Sequence, residues 1–429
     1  MSELKITIPK DSIEINENSL TFDFKGDPKY GLDKTIVNGI RRILLSSMPS
    51  VAFRLTGDNP DLKIVTNNTS LHNEYLLHRV ALIPLYINPL EWHKDLLFKL
   101  SVKNTSNVLQ QVSAKDIEIY PVKKSIISKC RKEDDYSILD TINIENYDLT
   151  KPLAEKDKKK IFRPFEIADI TEYCLITELA SNQSEDNISE LELYGSPSIS
   201  TANEDVRWQN VSCSTYAFKQ DEKLFVKAAK EKMIVNNIDP SREGEFVREL
   251  NIEEGERYYH RDVNLQPFWY EFRIDSQGYF PPNMSDKGDG LLVQSTDLLV
   301  KIFEGLKSEF RKLLDPDSDS IMIIKKLDEG NDLVYKIIVT GGDDTIGSIL
   351  QAHISNKLIN SESILSLCGY KKLHPLEEVI TFTLALNTNN KIVKLDNVQK
   401  VNAIIDQMVE ACNQVSLIYQ KINEECKKV

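Results

Sequence analysis

The sequence contains no paired cysteines. Its six, Cys130, Cys174, Cys213, Cys368, Cys412 and Cys426, are scattered and never spaced as CxxC. That leaves no four-cysteine zinc site of ordinary spacing and fits reduced thiols in a cytosol-like compartment. A run of about 18 apolar residues is also missing, so no membrane span is expected. The opening MSELKITIPKDSIEI lacks the apolar stretch of a signal peptide. Positive charge is in deficit, with 53 Lys and Arg against 66 Asp and Glu and a net charge of -13. Chains that grip phosphates usually carry a basic face. Direct sequence-specific DNA binding is therefore not expected, although a local basic patch stays open. Gly and Pro are not in excess, and 41% of residues are hydrophobic, which excludes disorder on a large scale.

With 429 residues the chain is too long for one ordinary core, and two or three domains are expected. Alternation at Leu4, Ile6 and Ile8, then at Leu20, Phe22 and Phe24, predicts strands. A helix follows, with Ile36, Ile40 and Leu44 in its apolar stripe, Asp33 as N-cap and Pro49 as its stop. Between 51 and 205 the texture changes to short apolar runs among polar residues, a separate and mostly β domain. Its segment 151–160, KPLAEKDKKK, reads as an exposed loop whose lysines are solvated. Strands are predicted again at 211–219 and 268–275, with a charged, partly helical stretch between them. A strong amphipathic helix over 291–314 carries Leu298, Leu299, Ile302, Phe303, Leu306, Phe310 and Leu313. The segment DPDSDS, 315–320, reads as a linker.

The last 109 residues repeat the early plan of strands, helix, strands, helix. One helix opens at Asp343–Thr345 and carries Ile346, Ile349, Leu350, Ile354 and Leu358. The final helix places Val398, Val401, Ile405, Met408, Cys412, Val415, Tyr419, Ile422 and Cys426 at alternating steps of three and four, a coiled-coil-type seam. About 30 residues at 1.5 Å each span about 45 Å. Each half has more apolar helix face than its own small sheet covers, so the halves are expected to pack on each other.

Three segments bear on function. NGIRRILLSSMPS, 38–50, resembles the first helix of the α subunit of bacterial RNA polymerase and of the larger α-like subunit of archaeal and eukaryotic polymerases. Asn38, Arg41, Arg42, Leu44, Leu45, Ser46, Ser47 and Pro49 carry that resemblance. NTSLHNEYLLHRVALIPL, 68–85, resembles the opening of the larger subunit's inserted domain through residues that include Glu74, His78, Arg79 and Pro84. A metal reading of His72, Glu74 and His78 is opposed by the spacing. His72 lies six residues from His78, and this is not HExxH. A structural role fits better, with Glu74 pairing His78 and the IPL segment entering a strand. GGDDTIGSIL, 341–350, and GYKKLHPLEEVITFTLAL, 369–386, resemble the smaller α-like subunit through Asp344, Thr345, Gly347, Leu350, Tyr370, Lys371, His374 and Pro375. A magnesium site at GGDD is the competing reading, but acidic residues at a helix start also cap it.

The resemblance implies an α+β chain. Two α-like dimerisation modules, 1–50 with 206–315 and 316–429, would pack as a pseudo-symmetric intramolecular heterodimer, with 51–205 inserted in the first. It further implies a non-catalytic assembly subunit of a DNA-dependent RNA polymerase. The partners would be the largest and second-largest polymerase subunits and small accessory subunits. No cofactor or metal is carried over, because only Cys130 and Cys174 fall in the inserted domain. The interface residues implied are Asn38, Arg41, Arg42, Ile36, Ile40, Leu44, Thr345, Ile346, Leu350, Tyr370, His374, Ile405, Met408 and Cys412. Fusion of the two subunits resembles the polymerases of large cytoplasmic DNA viruses. That implies host cytoplasm and virion as the location, or otherwise a reduced intracellular compartment. The alternative from another class is a metal-dependent phosphoryl-transfer enzyme using GGDD with Glu74 and His78.

Overall fold

The computed structural model describes every residue except 1–4, 17, 30, 58, 169, 182–187, 283–289, 315–319, 329–330 and 428–429. Leu4 and all but the last residue of the DPDSDS segment lie outside the described residues. Helix accounts for 40% and strand for 28%, so the chain is mixed α and β. It divides into two compact units, one of residues 1–45, 212–276 and 281–429, the other of residues 46–211 and 277–280.

The first unit holds two four-stranded sheets. In the first sheet the strands are β1 (Glu14–Ile15), β2 (Ser19–Lys25), β3 (Val211–Phe218) and β4 (Trp269–Ser276), ordered β1-β2-β4-β3. The second sheet, β5 (Met322–Asp328), β6 (Asn331–Thr340), β7 (Leu365–Lys372) and β8 (Val379–Leu386), is ordered β5-β6-β8-β7. The order first-second-fourth-third is thus the same in both. Helix placement repeats as well. A helix follows the second strand, α1 (Lys34–Ser46) in one case and α5 (Asp344–His353) in the other. A long helix follows the fourth, α4 (Leu291–Lys312) or α6 (Asn397–Lys427). Between β3 and β4 lie α2 (Glu222–Val235) and α3 (Glu243–Glu254), with a small core of Phe225, Ala229 and Leu250.

Local chemistry accounts for these elements. Asp33 starts α1, its Oδ1 accepting from the Thr35 N–H at 2.8 Å. The helix ends three residues before Pro49, whose ring disfavours helical geometry just upstream. Ile36, Val37, Ile40, Ile43 and Leu44 are buried on one side. Phe22, Phe24 and Phe272 form an aromatic cluster inside the first sheet, with centroids 4.8–5.7 Å apart.

Several expectations change. On α4 the buried residues are Leu291, Leu292, Val293, Ser295, Thr296, Leu299, Phe303 and Phe310, whereas Leu298, Ile302, Leu306 and Leu313 are only half-buried. The buried hydroxyls of Ser295 and Thr296 donate to the Leu292 carbonyl at 2.9 and 3.0 Å, which removes the cost of burying them. The α6 seam is broader than a coiled-coil stripe. Ile404, Ala411, Ser416 and Asn423 are buried beside it, and Val398 is 68% exposed. The cause is that α6 meets both α4 and α5 and is covered on two flanks. Beyond α5 the chain makes a π-helical turn over Ile354–Leu358.

The second unit has a four-stranded sheet of Leu62–Asn67, Ser189–Gly195, Leu96–Asn104 and Ile117–Pro121, in that order. Its core includes Phe53, Phe98 and Phe162. Helices interrupt the expected β texture at Asn73–Ala81, Lys124–Glu133 and Glu155–Ile161. The last of these corrects the loop expected at 151–160. Lys158 is 7% exposed, and its ammonium donates to the Lys115 carbonyl. The IPL segment also departs from expectation. It pairs into no strand, and Pro84 has no N–H to give a ladder. Ile83 and Leu85 are nevertheless buried. No helix among the described residues is long and apolar enough to cross a membrane.

Candidate functional site

Most of the residues singled out on α1, α5 and α6 are buried in the first unit. Ile36, Ile40 and Leu44 of α1 are buried, as are Thr345 and Leu350 of α5 and Ile405, Met408 and Cys412 of α6. Gly39 lets α1 come close to side chains of α5 and α6. A β-carbon there would stand 2.6 Å from the Tyr419 hydroxyl oxygen and 2.8 Å from Ile349 Cδ1, so any side chain would force the helices apart. Tyr419 of α6 fills the space, is fully buried, and donates its hydroxyl to the Ile36 carbonyl at 3.1 Å. Its ring stacks with Phe303 of α4 at 5.9 Å between centroids. Burial pushes the Tyr419 phenol well above its ordinary range, with the Asp33 carboxylate adding to the effect. One side chain thus ties three helices together.

Polar contacts fix the register of α4 against α6. The Asn423 amide nitrogen lies 3.0 Å from the Val293 carbonyl, 2.8 Å from Thr296 Oγ1 and 3.0 Å from Asp297 Oδ1, and the residue is 5% exposed. Ser416 donates to Glu304 at 3.0 Å. Lys307 reaches Asn413 Oδ1 at 3.4 Å. Sliding by one turn would leave the Asn423 amide unpaired in the core, a cost of about 1–3 kcal/mol. On the flank, Asn356 donates to Asp33 at 2.9 Å. His353 shares a 2.9 Å hydrogen bond with Gln414. Burial lowers the His353 pKa below 6.5, and the nearby Lys357 charge pulls the same way. The thiol of Cys412 is pushed up to about 12 by burial and is a packing group.

The remaining singled-out residues are placed differently. Arg41 is half-buried, and its Nε donates to Asn38 Oδ1 at 2.8 Å. Arg42 is exposed, and its charge opposes the upward shift that burial and Asp344 impose on Tyr370. The Tyr370 ring lies against Gly347, where a β-carbon would come within 2.5 Å of it, so α5 meets β7 closely only because Gly347 has no side chain. Ile346 is half-buried and His374 exposed. Asp343 caps α5, accepting from the Ile346 N–H at 3.0 Å and the Thr345 hydroxyl at 2.7 Å. In the second unit Glu74, His78, Arg79 and Pro84 are exposed. Arg79 donates to the Leu175 carbonyl at 2.9 Å. His72 caps the Asn73–Ala81 helix. Among the described residues no three His, Cys, Asp or Glu side chains gather as a metal site.

Gly39, Asn423 and Thr296 were not singled out. A glycine inside a helical stripe was the available signal for the first. Asn423 and Thr296 resemble ordinary polar flank residues until their partners are known.

No family model matches the chain. Part of it is similar to the RPAC1 subunit of DNA-directed RNA polymerases I and III. The human protein is 39% identical over 80 residues, 18% of this chain and 20% of that protein. The Saccharomyces cerevisiae protein is 35% identical over 81 residues, 19% and 22% of the two chains. The Dictyostelium discoideum protein is 29% identical over 129 residues, 29% of this chain and 30% of that protein. The chain therefore matches between a fifth and a third of the length of these curated relatives.

Proposed function

We propose that this chain is a non-catalytic assembly subunit of a DNA-dependent RNA polymerase, in which a larger and a smaller α-like module are joined in one polypeptide. The observation that carries the reading is the repeated sheet order, each copy followed by a long helix, with α4 and α6 packed together in one unit. Such a repeat suits a pseudo-symmetric intramolecular heterodimer with sheets outside and helices between. The partial similarity to a polymerase subunit supports the same assignment. On this reading residues 51–205 are an insertion in the first module. The two largest polymerase subunits, which hold the chemistry, dock on the platform. Fusion makes pairing of the modules intramolecular, with an effective concentration on the order of millimolar, so it no longer depends on dilution. This suits a virus that transcribes in host cytoplasm, where we place the chain.

The test is affinity purification of the tagged chain from cells that produce it. Two very large polypeptides in stoichiometric yield, together with template-dependent RNA synthesis, are expected. Recovery of the chain alone, with phosphoryl-transfer turnover of its own, overturns the proposal.

A further inference from the structure

The second sheet presents a face whose charge the described molecule leaves unanswered. Tyr335, Ile337, Val339, Ile380, Phe382 and Leu384 point inward and are buried. Their alternates form the opposite face, and the strand register lays them in rows. Lys325, Lys336, Thr383 and Gly369 stand side by side across β5, β6, β8 and β7. On one flank lie Ile323 and Ile338, continued across the sheet by Thr381 and the exposed Lys371, and on the other Val334, Ala385 and Leu367. Ile323 is 50% and Leu367 54% exposed. The face thus carries the lysines Lys325, Lys336 and Lys371 among apolar side chains on both sides of the central row, on a chain whose net charge is -13.

Lys325 lies directly opposite Lys336. Like charges in that position oppose strand pairing. Neither forms an ion pair with a described residue, whereas the neighbouring Lys326 pairs with Asp332. The first sheet, built in the same order, meets the same problem and resolves it internally. There Asp23 stands opposite Glu271, and Lys219 bridges the two at 3.2 and 2.9 Å. Arg273 pairs with Asp275 at 3.0 Å, and Lys25 sits over the Trp269 ring at 4.0 Å. Among the described residues the second sheet has no equivalent bridge between Lys325 and Lys336.

We propose that the outer face of β5-β6-β8-β7 is a docking surface for a different protein chain, which lays an acidic amphipathic helix across it. Carboxylates meet Lys325 and Lys336, and apolar side chains cover the flanking rows, because an apolar sheet face is stably covered by a helix layer. A second copy docking through this same face is disfavoured, since it would set lysines against lysines. The assignment rests on the sheet's own register and charge and holds whatever machine the chain serves.

The test places the photo-cross-linker p-benzoylphenylalanine at Ile338 and, separately, at Leu367 of the full chain, expressed in its producing cells and irradiated in its purified complex. The expected product joins this chain to a helical segment of another protein with Asp or Glu among apolar residues. Lys325→Glu with Lys336→Glu should cut the yield by about tenfold or more. Lysine at the cross-linked carboxylates should restore it. Lys325→Gln removes the cross-strand repulsion, so it should leave the melting temperature unchanged or raised while lowering the yield. Absence of product at both positions, product with a second copy, or product with a basic segment overturns the proposal.

Discussion

At the scale of single residues the account rests on which side chains the helices bury. Ile40 is fully buried in the α1 stripe. Ile40→Asp forfeits about 1.5–3 kcal/mol of apolar burial and adds a buried charge without a partner. Thermal melting should show a destabilised or unfolded chain, and an unchanged melting temperature would mean the stripe faces solvent. His353 predicts a pH dependence. Burial holds its folded pKa below 6.5, so the unfolded chain binds the proton more readily. Its contribution to stability is therefore complete above about pH 6.5 and is lost as pH falls through the depressed folded value. Urea melts between about pH 5 and 7 should show a steeper loss on acidification for wild type than for His353→Gln, and equal slopes would remove His353 from the explanation. Arg41 and Arg42 lie on the side of α1 away from Ile40, one half-buried and one exposed. We propose that they contact the second-largest subunit. Replacing both with Ala should change stability by no more than about 1 kcal/mol while greatly reducing recovery of that subunit in a pull-down. Normal recovery would dismiss the role, and loss of folding would assign the arginines to the fold.

At the scale of elements, the α4–α6 pair joins the two halves of the first unit. Tyr419 against Phe303 and Asn423 against Thr296 make that contact independent of the covalent link between the halves. Cleavage at a protease site inserted in 315–320 should therefore leave both fragments co-eluting on size exclusion at micromolar concentration; separation would contradict the packing account. These elements differ in how far the sequence reveals them. The α1 stripe is legible because Ile36, Ile40 and Leu44 recur with helical period and Asp33 and Pro49 bracket them. The α6 seam is legible only along its centre. Its breadth depends on covering by both α4 and α5, which periodicity in one helix does not encode. Lys158 reads as solvated because lysines usually are, and its burial is intelligible only from the Lys115 carbonyl and the Glu155 carboxylate that its ammonium meets. Pro84 carried a usable signal against a strand at IPL that the apolar neighbours outweighed. Asn423 is opaque for the same reason as Lys158, since a buried amide is intelligible only from its partners.

At the scale of the whole molecule, the claim is that one polypeptide supplies both α-like halves of a polymerase platform. The repeated sheet order, the shared helix placement and the packing of α4 on α6 support it together, while the similarity to RPAC1 covers only 18–29% of the chain. The most direct measurement is the subunit stoichiometry of the purified assembly by native mass spectrometry. The account predicts one copy of this chain for each copy of the two largest subunits, because a single chain already contains the pair. Two copies per assembly would mean that the halves pair between chains, and an assembly without large subunits would mean that the chain is no polymerase platform.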